Sequence, residues 1–551
     1  MGIPSYFSYI IKNYTNIIRK FGECEKFHHL FMDCNSMIYD AYYRLEKSYE
    51  KEVCNLSSEE IEKLLIRDVI ESIGDCLRFV SPSKTAYIAF DGVPPFAKMD
   101  QQRTRRYKTQ YMAEINMHES LLDANMKKTI WNTTAITPGT AFMRALNSAI
   151  YKEFSGKHLK WGLQKIWVSG SDEAGEGEHK LFQCLRENNV ENNGVNFKND
   201  NVAVYGLDSD LIMLSIFHCR KYCKSIHVFR EAPEFRTVLS SNFEPKERLF
   251  MNIGALIAAI SQEMKVDIES AYDYIFMCFF LGNDFMPHFP AFNIRTHGVQ
   301  VLTETYMNII GKCDGRHFIE QKSDGKLEIQ WKWVQEYIKE LAKYEYDHLL
   351  TEYSGRDKFD KRQWTENSAE ERSQLLHNTP VIYRADEKYI CPAEDGWEMR
   401  YYRILFGIDN ITEADIRSIC MNYFVGLEWV FRYYTEECVN WRWTYAYSYP
   451  PLMKDLYRYI GEYKSEYILE GSSTKYKVPF DVELQLAYVL PRAKLNLSTK
   501  CDYLLEKYPE NYPEKYGFQW AFCRYFWEAH PLLPYLSLEK LEALENELTE
   551  K

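Results

Sequence analysis

The chain has 551 residues, of which 67 are basic and 79 acidic, so its formal net charge is −12 at pH 7. Hydrophobic residues make up 46% and charged residues 26% of the sequence, which is typical of a globular protein and excludes a wholly disordered chain. The net charge argues against a passive nucleic-acid binder, because such proteins usually carry an excess of basic residues. It does not argue against an enzyme whose site is built from carboxylates.

The sequence shows no signal for secretion or membrane insertion. Its 14 cysteines are scattered without a CxxC pair, which favours reduced thiols over a zinc site or a disulfide framework. The N-terminal stretch MGIPSYFSYI lacks the basic and apolar regions of a signal peptide. The longest apolar runs are much shorter than a membrane span. We therefore expect an intracellular, cytoplasmic protein that does not bind a membrane.

Residues 28–300 are predicted to form an α/β fold. Short apolar or β-branched runs are separated by helical patterns such as 59–80 and 176–188. The predicted strands are 28–32, 85–90, 164–168, 201–205 and 225–229. Because these strands alternate with helices, we expect a mainly parallel sheet flanked by helices.

The chain changes character after residue 310. The segment 311–396 is rich in polar and charged residues and is predicted to be an insertion or connector. Further on, Tyr, Trp and Leu recur at helical spacing, for example over 413–434 and 534–550, which predicts a mainly helical second region over 397–551. The α/β domain, which is expected to be catalytic, is assigned to 1–310.

Seven acidic residues occupy informative positions. Six follow predicted strands, and the seventh follows an apolar stretch that can form a helix. They are Asp33, Asp91, Glu176, Glu178, Asp208, Asp210 and Asp284. Ligands of open α/β sheets bind beyond the carboxyl ends of the strands, so four of these segments would deliver carboxylates to one edge. Asp284 would reach the same edge from a helix end.

Such a cluster predicts a metal site. Seven carboxylates cannot all stay ionised together without compensation, because like charges a few ångströms apart raise one another's pKa. Ligation by oxygen alone selects hard ions, so the predicted cofactor is a pair of Mg²⁺ ions, for which Mn²⁺ can substitute. Two ions roughly 3.5–4 Å apart can activate a water and stabilise the leaving oxygen of a phosphodiester. The alternative, that acidic residues cap helices and solvate loops, explains single residues better than the whole set.

The stretch KMDQQRTRRYK at 98–108 is the most basic short segment of this acidic chain. On a helix, four of its side chains share one face. They are Lys98, Gln102, Arg105 and Arg106. Such a face suits a terminal phosphate, because Arg offers forked donors and Lys a point charge. The alternative is a solvated basic surface.

Together these motifs resemble the Xrn-type 5′→3′ exoribonucleases, which belong to the flap-endonuclease-like (PIN-like) nuclease superfamily. The matching stretches are MGIPSYF (1–7), MDCNS (32–36), FDGVPPFAKMDQQRTRR (90–106), GEGEHK (175–180), YGLDSDLI (205–212) and FLGNDFMPHFP (280–290). A second region of that family resembles 401–452, including GLEWVFRYY (426–434) and WRWTYAYSYPP (441–451).

The resemblance implies a PIN-like nuclease fold and a processive exonuclease. Such an enzyme would take single-stranded RNA with a 5′-monophosphate and release mononucleotides, using Mg²⁺. By motif match, the seven acidic residues would bind the metal ions, and the four residues of the basic face would hold the 5′ phosphate. A pocket for one phosphate would reject capped and triphosphate ends by steric exclusion, and the helical second region would complete the active-site channel.

The chain departs from the family pattern at several positions. Tyr39 replaces the His that stacks on a nucleobase in the family, and it keeps an aromatic face. The second stacking residue would be Trp443 or Trp441, with a core role as the alternative for either. Ala174 replaces a Pro, and His179 is interpreted as a structural residue or as one that supports the ligands, rather than as a ligand itself.

Cytoplasmic members of the family continue beyond the second region, so we expect a minimal, core-only member, with a viral or host origin and any protein partner left open.

The competing enzyme is a structure-specific flap-type 5′ DNA nuclease, which normally carries a helix-hairpin-helix after its last metal-binding Asp. Here GNDF is followed by MPHFPAFNIRTHG, which favours the exoribonuclease. A non-enzymatic RNA-binding module is disfavoured, because all seven acidic residues are present.

Overall fold

A central β-sheet organises the computed structural model of this chain. The described residues are 3, 5–48, 56–120, 131–187, 195–206, 208–231, 247–267, 271–312, 316–465, 474–497 and 499–550. Their strands are β1 (Ile18–Arg19), β2 (His29–Asp33), β3 (Thr85–Ala89), β4 (Lys165–Ser169), β5 (Asn201–Tyr205), β6 (Ser225–Glu231), β7 (Arg248–Asn252), β8 (Ile319–Gln321), β9 (Leu327–Ile329), β10 (Phe518–Gln519) and β11 (His530–Pro531). Their α-helices are α1 (Tyr6–Asn13), α2 (Asn35–Ser48), α3 (Ser58–Val80), α4 (Phe96–Ser120), α5 (Ala141–Phe154), α6 (Gly177–Glu187), α7 (Asp210–His218), α8 (Ile253–Met264), α9 (Ala271–Cys278), α10 (Gly298–Tyr306), α11 (Trp331–Gly355), α12 (Ala369–His377), α13 (Thr379–Ile382), α14 (Ala385–Ile390), α15 (Trp397–Phe406), α16 (Glu413–Thr435), α17 (Met453–Tyr459), α18 (Val482–Val489), α19 (Thr499–Lys507) and α20 (Leu538–Glu550).

The central sheet has the strand order β1-β7-β6-β5-β2-β3-β4. Strands β2 to β6 pair in parallel, whereas β7 and β1 extend one side of the sheet in antiparallel pairing. Strands β2 to β6 are the five predicted from the sequence, so the mainly parallel sheet is confirmed. The prediction missed β1, which has two residues, and β7, whose apolar run continues directly into that of α8, so periodicity alone does not separate the strand from the helix.

Both faces of the sheet are covered by helices. Phe31 of β2 packs into one hydrophobic cluster, together with Leu181 of α6. Its neighbours Leu30 and Met32 point the other way, into a second cluster that includes Leu65 of α3. Because successive side chains of a strand alternate between faces, this arrangement buries both sides of β2. The polar residues that follow the strands therefore gather at the edge where the parallel strands end.

Helix α4, which carries the basic stretch, is held by the C-terminal part of the chain. Phe96 and Met99 of α4 pack into a third hydrophobic cluster with residues of α18. The hydroxyl of Tyr488 donates a 2.6 Å hydrogen bond to Asp100, and the guanidinium of Arg103 donates to the backbone oxygen of Pro534. These contacts fix the rotation of α4 about its axis, so its opposite face is turned toward the sheet edge.

The second region is mainly helical, as the sequence predicts. Helix α16 begins at a capping box, in which the backbone N–H of Asp415 donates to Thr412 Oγ1 and that of Thr412 donates to the Asp415 carboxylate. Helix α11 lies in the predicted connector, yet Tyr337 and Leu341 are buried in the main hydrophobic cluster. In the described part of the chain, no helix combines the length and apolar composition needed to cross a membrane. The limits of the three regions stay a prediction.

Candidate active site

A cavity of about 630 Å³ lies where the parallel strands end. Five of the seven predicted carboxylates line it, namely Asp33, Asp91, Glu176, Glu178 and Asp208. The predicted phosphate-binding face and the first stacking candidate also line it, through Lys98, Gln102, Arg105, Arg106 and Tyr39. The chain therefore brings segments from β2, β3, β5, α4 and α6 to one place.

Asp33 and Asp91 are held by the backbone of neighbouring segments. Asp33 is the last residue of β2, and Asp91 follows β3. The backbone N–H of Gly177, at the start of α6, donates a 2.6 Å hydrogen bond to Asp91 Oδ1. A Cβ at Gly177 would lie 2.6 Å from Asp33 Oδ1, which explains why glycine occupies this close approach. Asn35 donates through its side-chain amide to Asp91 Oδ2, and its oxygen accepts from the Asp91 N–H at 3.1 Å.

Glu178, Asp208 and Asp210 form a group that could hold a metal ion. One carboxylate oxygen from each lies within 4.8 Å of the others. Asp210 begins α7, and its Oδ1 is buried without a hydrogen-bond partner among the described residues. A donor set made of carboxylate oxygens fits a hard divalent cation.

The electrostatics of the cluster favour added positive charge. Burial, followed by the nearby charges of Asp91 and Asp208, raises the pKa of Asp33 well above its usual value. Burial and Asp208 likewise raise the pKa of Glu178, and they raise that of Asp210 to about 8. These groups resist ionisation together because desolvation and like charges both disfavour the anionic form.

Lys98 joins the remaining two carboxylates to the cluster. Its ammonium nitrogen lies 2.5 Å from Glu176 Oε2 and 2.8 Å from Asp284 Oδ2. Although burial opposes the charged forms, these attractions raise the pKa of Lys98 and lower the pKa of Asp284. All seven predicted carboxylates thus belong to one connected cluster, with Lys98 lying between two of them.

Arg105 and Arg106 line the same cavity but differ from Lys98 in their partners. Neither guanidinium pairs with a carboxylate within the described ranges of the chain. Arg106 is only 9% exposed, and burial lowers its pKa to about 10. Gln102 beside it is also buried. A buried cation without an acidic neighbour is expected to bind an anionic ligand, because isolated charge is costly in a desolvated site.

The second region contributes directly to the site through α16. The hydroxyl of Tyr433 donates a 2.9 Å hydrogen bond to Glu176 Oε1. The same ring stacks on His179 with the ring centres 3.6 Å apart, and burial lowers the pKa of His179 well below its usual value. His179 is thus a neutral packing residue here.

The three stacking candidates have different positions. Tyr39 lines the cavity, whereas neither tryptophan is among its lining residues. Trp443 is half-buried and stacks on Trp429 with ring centres 5.1 Å apart. Trp441 lies against the loop that carries Glu176, because its Cη2 is 3.8 Å from the position that a Cβ on Gly175 would take.

Comparisons with known proteins show which family the chain is similar to. The family description "XRN 5'-3' exonuclease N-terminus" matches residues 1–232, and "Xrn1 helical domain" matches 265–392 and 384–551. The chain is 26% identical to the human protein named 5'-3' exoribonuclease 1, over 99% of this chain and 34% of that protein. It is 24% identical to 5'-3' exoribonuclease 2 of Gallus gallus, over 100% of this chain and 70% of the relative. The Drosophila melanogaster 5'-3' exoribonuclease 2 homolog is also 24% identical, over 98% of this chain and 70% of the relative. The chain therefore spans about a third of the human relative and about two thirds of the other two.

Proposed function

The chain belongs to the family of XRN 5'-3' exonucleases, and on this basis we propose that it degrades single-stranded RNA with a 5′-monophosphate processively to mononucleotides. One observation carries the proposal. A cluster of buried and half-buried carboxylates shares a cavity with Arg105 and Arg106, which have no acidic partner in the described part of the chain. An RNA with a 5′ phosphate can place a phosphodiester beside the carboxylates and its terminal phosphate on the two arginines at the same time.

The 5′ phosphate is assigned to the basic face of α4. Arg105 and Arg106 supply forked donors, which suit the oxygens of a phosphate dianion. Gln102 adds an amide donor, and Lys98 adds positive charge from the carboxylate side. The low exposure of Gln102 and Arg106 supports the proposal that this pocket takes one phosphate and rejects a triphosphate or a cap.

The metal site is assigned to the seven carboxylates, with two Mg²⁺ ions as the ligand and Mn²⁺ as a substitute. When bound, Mg²⁺ supplies activation of a water nucleophile and stabilisation of the leaving oxygen. The chain's own residues orient the ligands. Asn35 and Gly177 hold Asp91, Tyr433 and Lys98 hold Glu176, and Lys98 also holds Asp284. The raised pKa values of Asp33, Glu178 and Asp210 support this assignment. These carboxyl groups can all be ionised in the folded protein only when cations bind beside them.

The Tyr39 ring is assigned to stack on a base of the first nucleotides, on one side of them. Its position on the cavity wall supports this role. Of the two tryptophans, Trp441 has the stronger support, because it lies beside the Glu176 loop, while Trp443 packs on Trp429. A cytoplasmic location stays part of the proposal.

A comparison of 5′ ends tests the proposed function. Matched RNAs with 5′-monophosphate, triphosphate, cap or hydroxyl ends are incubated with and without Mg²⁺, beside a 5′ DNA flap. We expect mononucleotides from the monophosphate RNA, and only with the metal. Faster cleavage of the flap, or equal cleavage of all RNA ends, would contradict the proposal.

A further inference from the structure

A row of aromatic and arginine side chains lies outside the active-site cavity, in the second region. The rings of Tyr525 and Trp527 are stacked, with their centres 5.9 Å apart and their planes 15° apart. The guanidinium carbon of Arg524 lies 4.3 Å from the ring centre of Tyr525 and 4.6 Å from that of Phe359, so it joins these two rings. We call these four side chains the aromatic row. None of them is among the residues that line the 630 Å³ cavity.

The two arginines at the row are bound to other protein groups and hold the rings in place. Arg295 lies 5.3 Å and 5.6 Å from the centres of the two stacked rings, and one of its nitrogens is 2.6 Å from the carboxylate of Glu528. Arg524 donates a 2.8 Å hydrogen bond to the side-chain oxygen of Asn378. A cation beside an aromatic ring is attracted to it, so both guanidinium groups restrict the movement of the rings.

What the row offers to a ligand is therefore a flat aromatic face. Trp527 is 41% exposed, although its ring is stacked on Tyr525. An aromatic ring that is already fixed loses little conformational freedom when a ligand stacks on it. Nucleobases are the flat groups that such a face binds without regard to sequence, because every base has a π face.

The Trp527 end of the row lies close to the active site. Lys108 of α4, the helix that carries the predicted phosphate-binding face, donates a 2.6 Å hydrogen bond to the backbone oxygen of Trp527. Trp527 also lines a smaller cavity, of about 170 Å³, together with Asn283, the residue before Asp284. Phe359, which follows α11, lies at the other end of the row. The row therefore begins beside the carboxylate cluster and leads away from it.

The distant end of the row carries positive charge. Lys361 and Arg362 are exposed and follow Phe359 directly along the chain after one residue. The guanidinium carbon of Arg362 lies 4.3 Å from the ring centre of Trp364, so aromatic and basic side chains continue to alternate here. Aromatic faces interleaved with cations are typical of surfaces that bind single-stranded nucleic acid, where bases stack and the backbone is attracted to the positive charge.

We propose that the aromatic row binds bases of the single-stranded RNA on the 3′ side of the nucleotides that occupy the cavity. This inference rests on the proposed function and extends it with a second contact to the same strand. Trp527 supplies the stacking face, and Tyr525 supports it from below. A strand held on the row stays bound when a mononucleotide leaves, which keeps the new 5′ end at a high local concentration near the carboxylates.

RNA length separates the row from the cavity. Fluorescence anisotropy in EDTA measures the binding of a 5′-phosphorylated trinucleotide and of a 5′-phosphorylated RNA of about twenty nucleotides, without cleavage. We expect Trp527→Ala to raise the Kd for the long RNA about tenfold relative to the Kd for the trinucleotide, as the loss of one stacked base predicts. Trp527→Phe keeps an aromatic face and should recover most of this loss.

Tyr344→Ala is the matched control. Tyr344 lies on α11 and is 48% exposed, close to the exposure of Trp527, but it is not part of the aromatic row. We therefore expect Tyr344→Ala to bind both RNAs like the parent protein.

A change in the RNA tests the same contact without altering the fold. A long RNA that keeps its first three nucleotides and is abasic beyond them should bind the parent protein about tenfold more weakly than the normal RNA. For Trp527→Ala this difference should become much smaller. Equal Kd values of the parent protein for the normal and the abasic RNA, or an equal loss of Trp527→Ala on long and short RNA, would overturn the row. If these binding results hold but the parent protein releases no mononucleotides in Mg²⁺, the proposed function fails, which is a different result.

Discussion

The hydroxyl of Tyr433 donates a 2.9 Å hydrogen bond to Glu176, although 257 residues separate the two in sequence. The contact joins the helical second region to the carboxylate cluster at the end of the sheet. Glu176 also receives the ammonium of Lys98, so its carboxylate is oriented from two sides. The second region therefore helps to build the site, in addition to burying apolar surface.

Replacing Tyr433 by Phe tests this coupling. The ring still stacks on His179, but Glu176 loses one of its two partners, so we expect kcat to fall about tenfold while KM for RNA stays near its parent value. Steady-state degradation of 5′-monophosphate RNA measures both constants. Tyr423→Phe, on the same helix, is the control, because the hydroxyl of Tyr423 is buried without a hydrogen-bond partner among the described residues. Similar kinetics for both variants would show that the Tyr433 hydroxyl has no role in the site.

We expect the clustered carboxylates to lower the thermal stability of the protein, although RNA degradation requires them. Asp208→Asn together with Asp210→Asn should abolish RNA degradation, because two proposed metal ligands are lost. The same change should raise the melting temperature in EDTA, since it removes like charges that burial intensifies. Thermal melting in EDTA and an RNA degradation assay check the two effects. Full activity would contradict the metal assignment, and a lower melting temperature would contradict the electrostatic account.

The loss of stability with rising pH should become smaller when a divalent metal is added. The pKa of Asp210 is raised from 3.8 to about 8 in the metal-free fold, so between these pH values the native state binds a proton that the unfolded state has lost. Stability then falls as pH rises through this window, by about 1.4 kcal/mol per pH unit for one such group.

Metal binding requires the ionised carboxylate, so the stabilisation by Mg²⁺ should grow over the same window. Melting temperatures in Mg²⁺ and in EDTA, measured across this pH range, give the comparison. A Mg²⁺ effect that shrinks as pH rises would contradict the assignment of Asp210 as a ligand.

Arg105 should favour RNA with a 5′-monophosphate over RNA with a 5′-hydroxyl end. Arg105→Gln removes a forked donor and its charge from the proposed phosphate pocket and keeps a shorter, polar side chain. We expect kcat/KM for 5′-monophosphate RNA to fall about hundredfold, and any activity on 5′-hydroxyl RNA to change little. The hydroxyl substrate is the internal control, because it lacks the phosphate but uses the same carboxylates. An equal loss on both substrates would place Arg105 outside the phosphate pocket.

Local patterns in the sequence predict the sheet and the carboxylate cluster well. Strands β2 to β6 are short apolar runs, and an acidic residue directly after such a run has to lie at the sheet edge, as Asp33 does at the end of β2. The basic face of α4 can also be predicted from the sequence. Gln102 and Arg106 are four residues apart, so they lie on the same side of the helix.

Contacts between distant segments could not be predicted in the same way. Nothing near Tyr433 in sequence indicates that its side chain reaches the carboxylates, since its position depends on how α16 packs against the rest of the fold. Asn35 is within reach of a prediction from sequence, because it lies two residues after Asp33 in the MDCNS motif. Lys98 was predicted to bind phosphate, and the structure places its ammonium between Glu176 and Asp284.

Anomalous diffraction from crystals soaked in Mn²⁺ tests the central claim most directly, namely that the converging carboxylates form a two-metal site. We expect two anomalous peaks roughly 3.5–4 Å apart, one of them within coordination distance of Glu178, Asp208 and Asp210. Peaks confined to other surfaces, or no peak between these carboxylates at saturating Mn²⁺, would contradict the account.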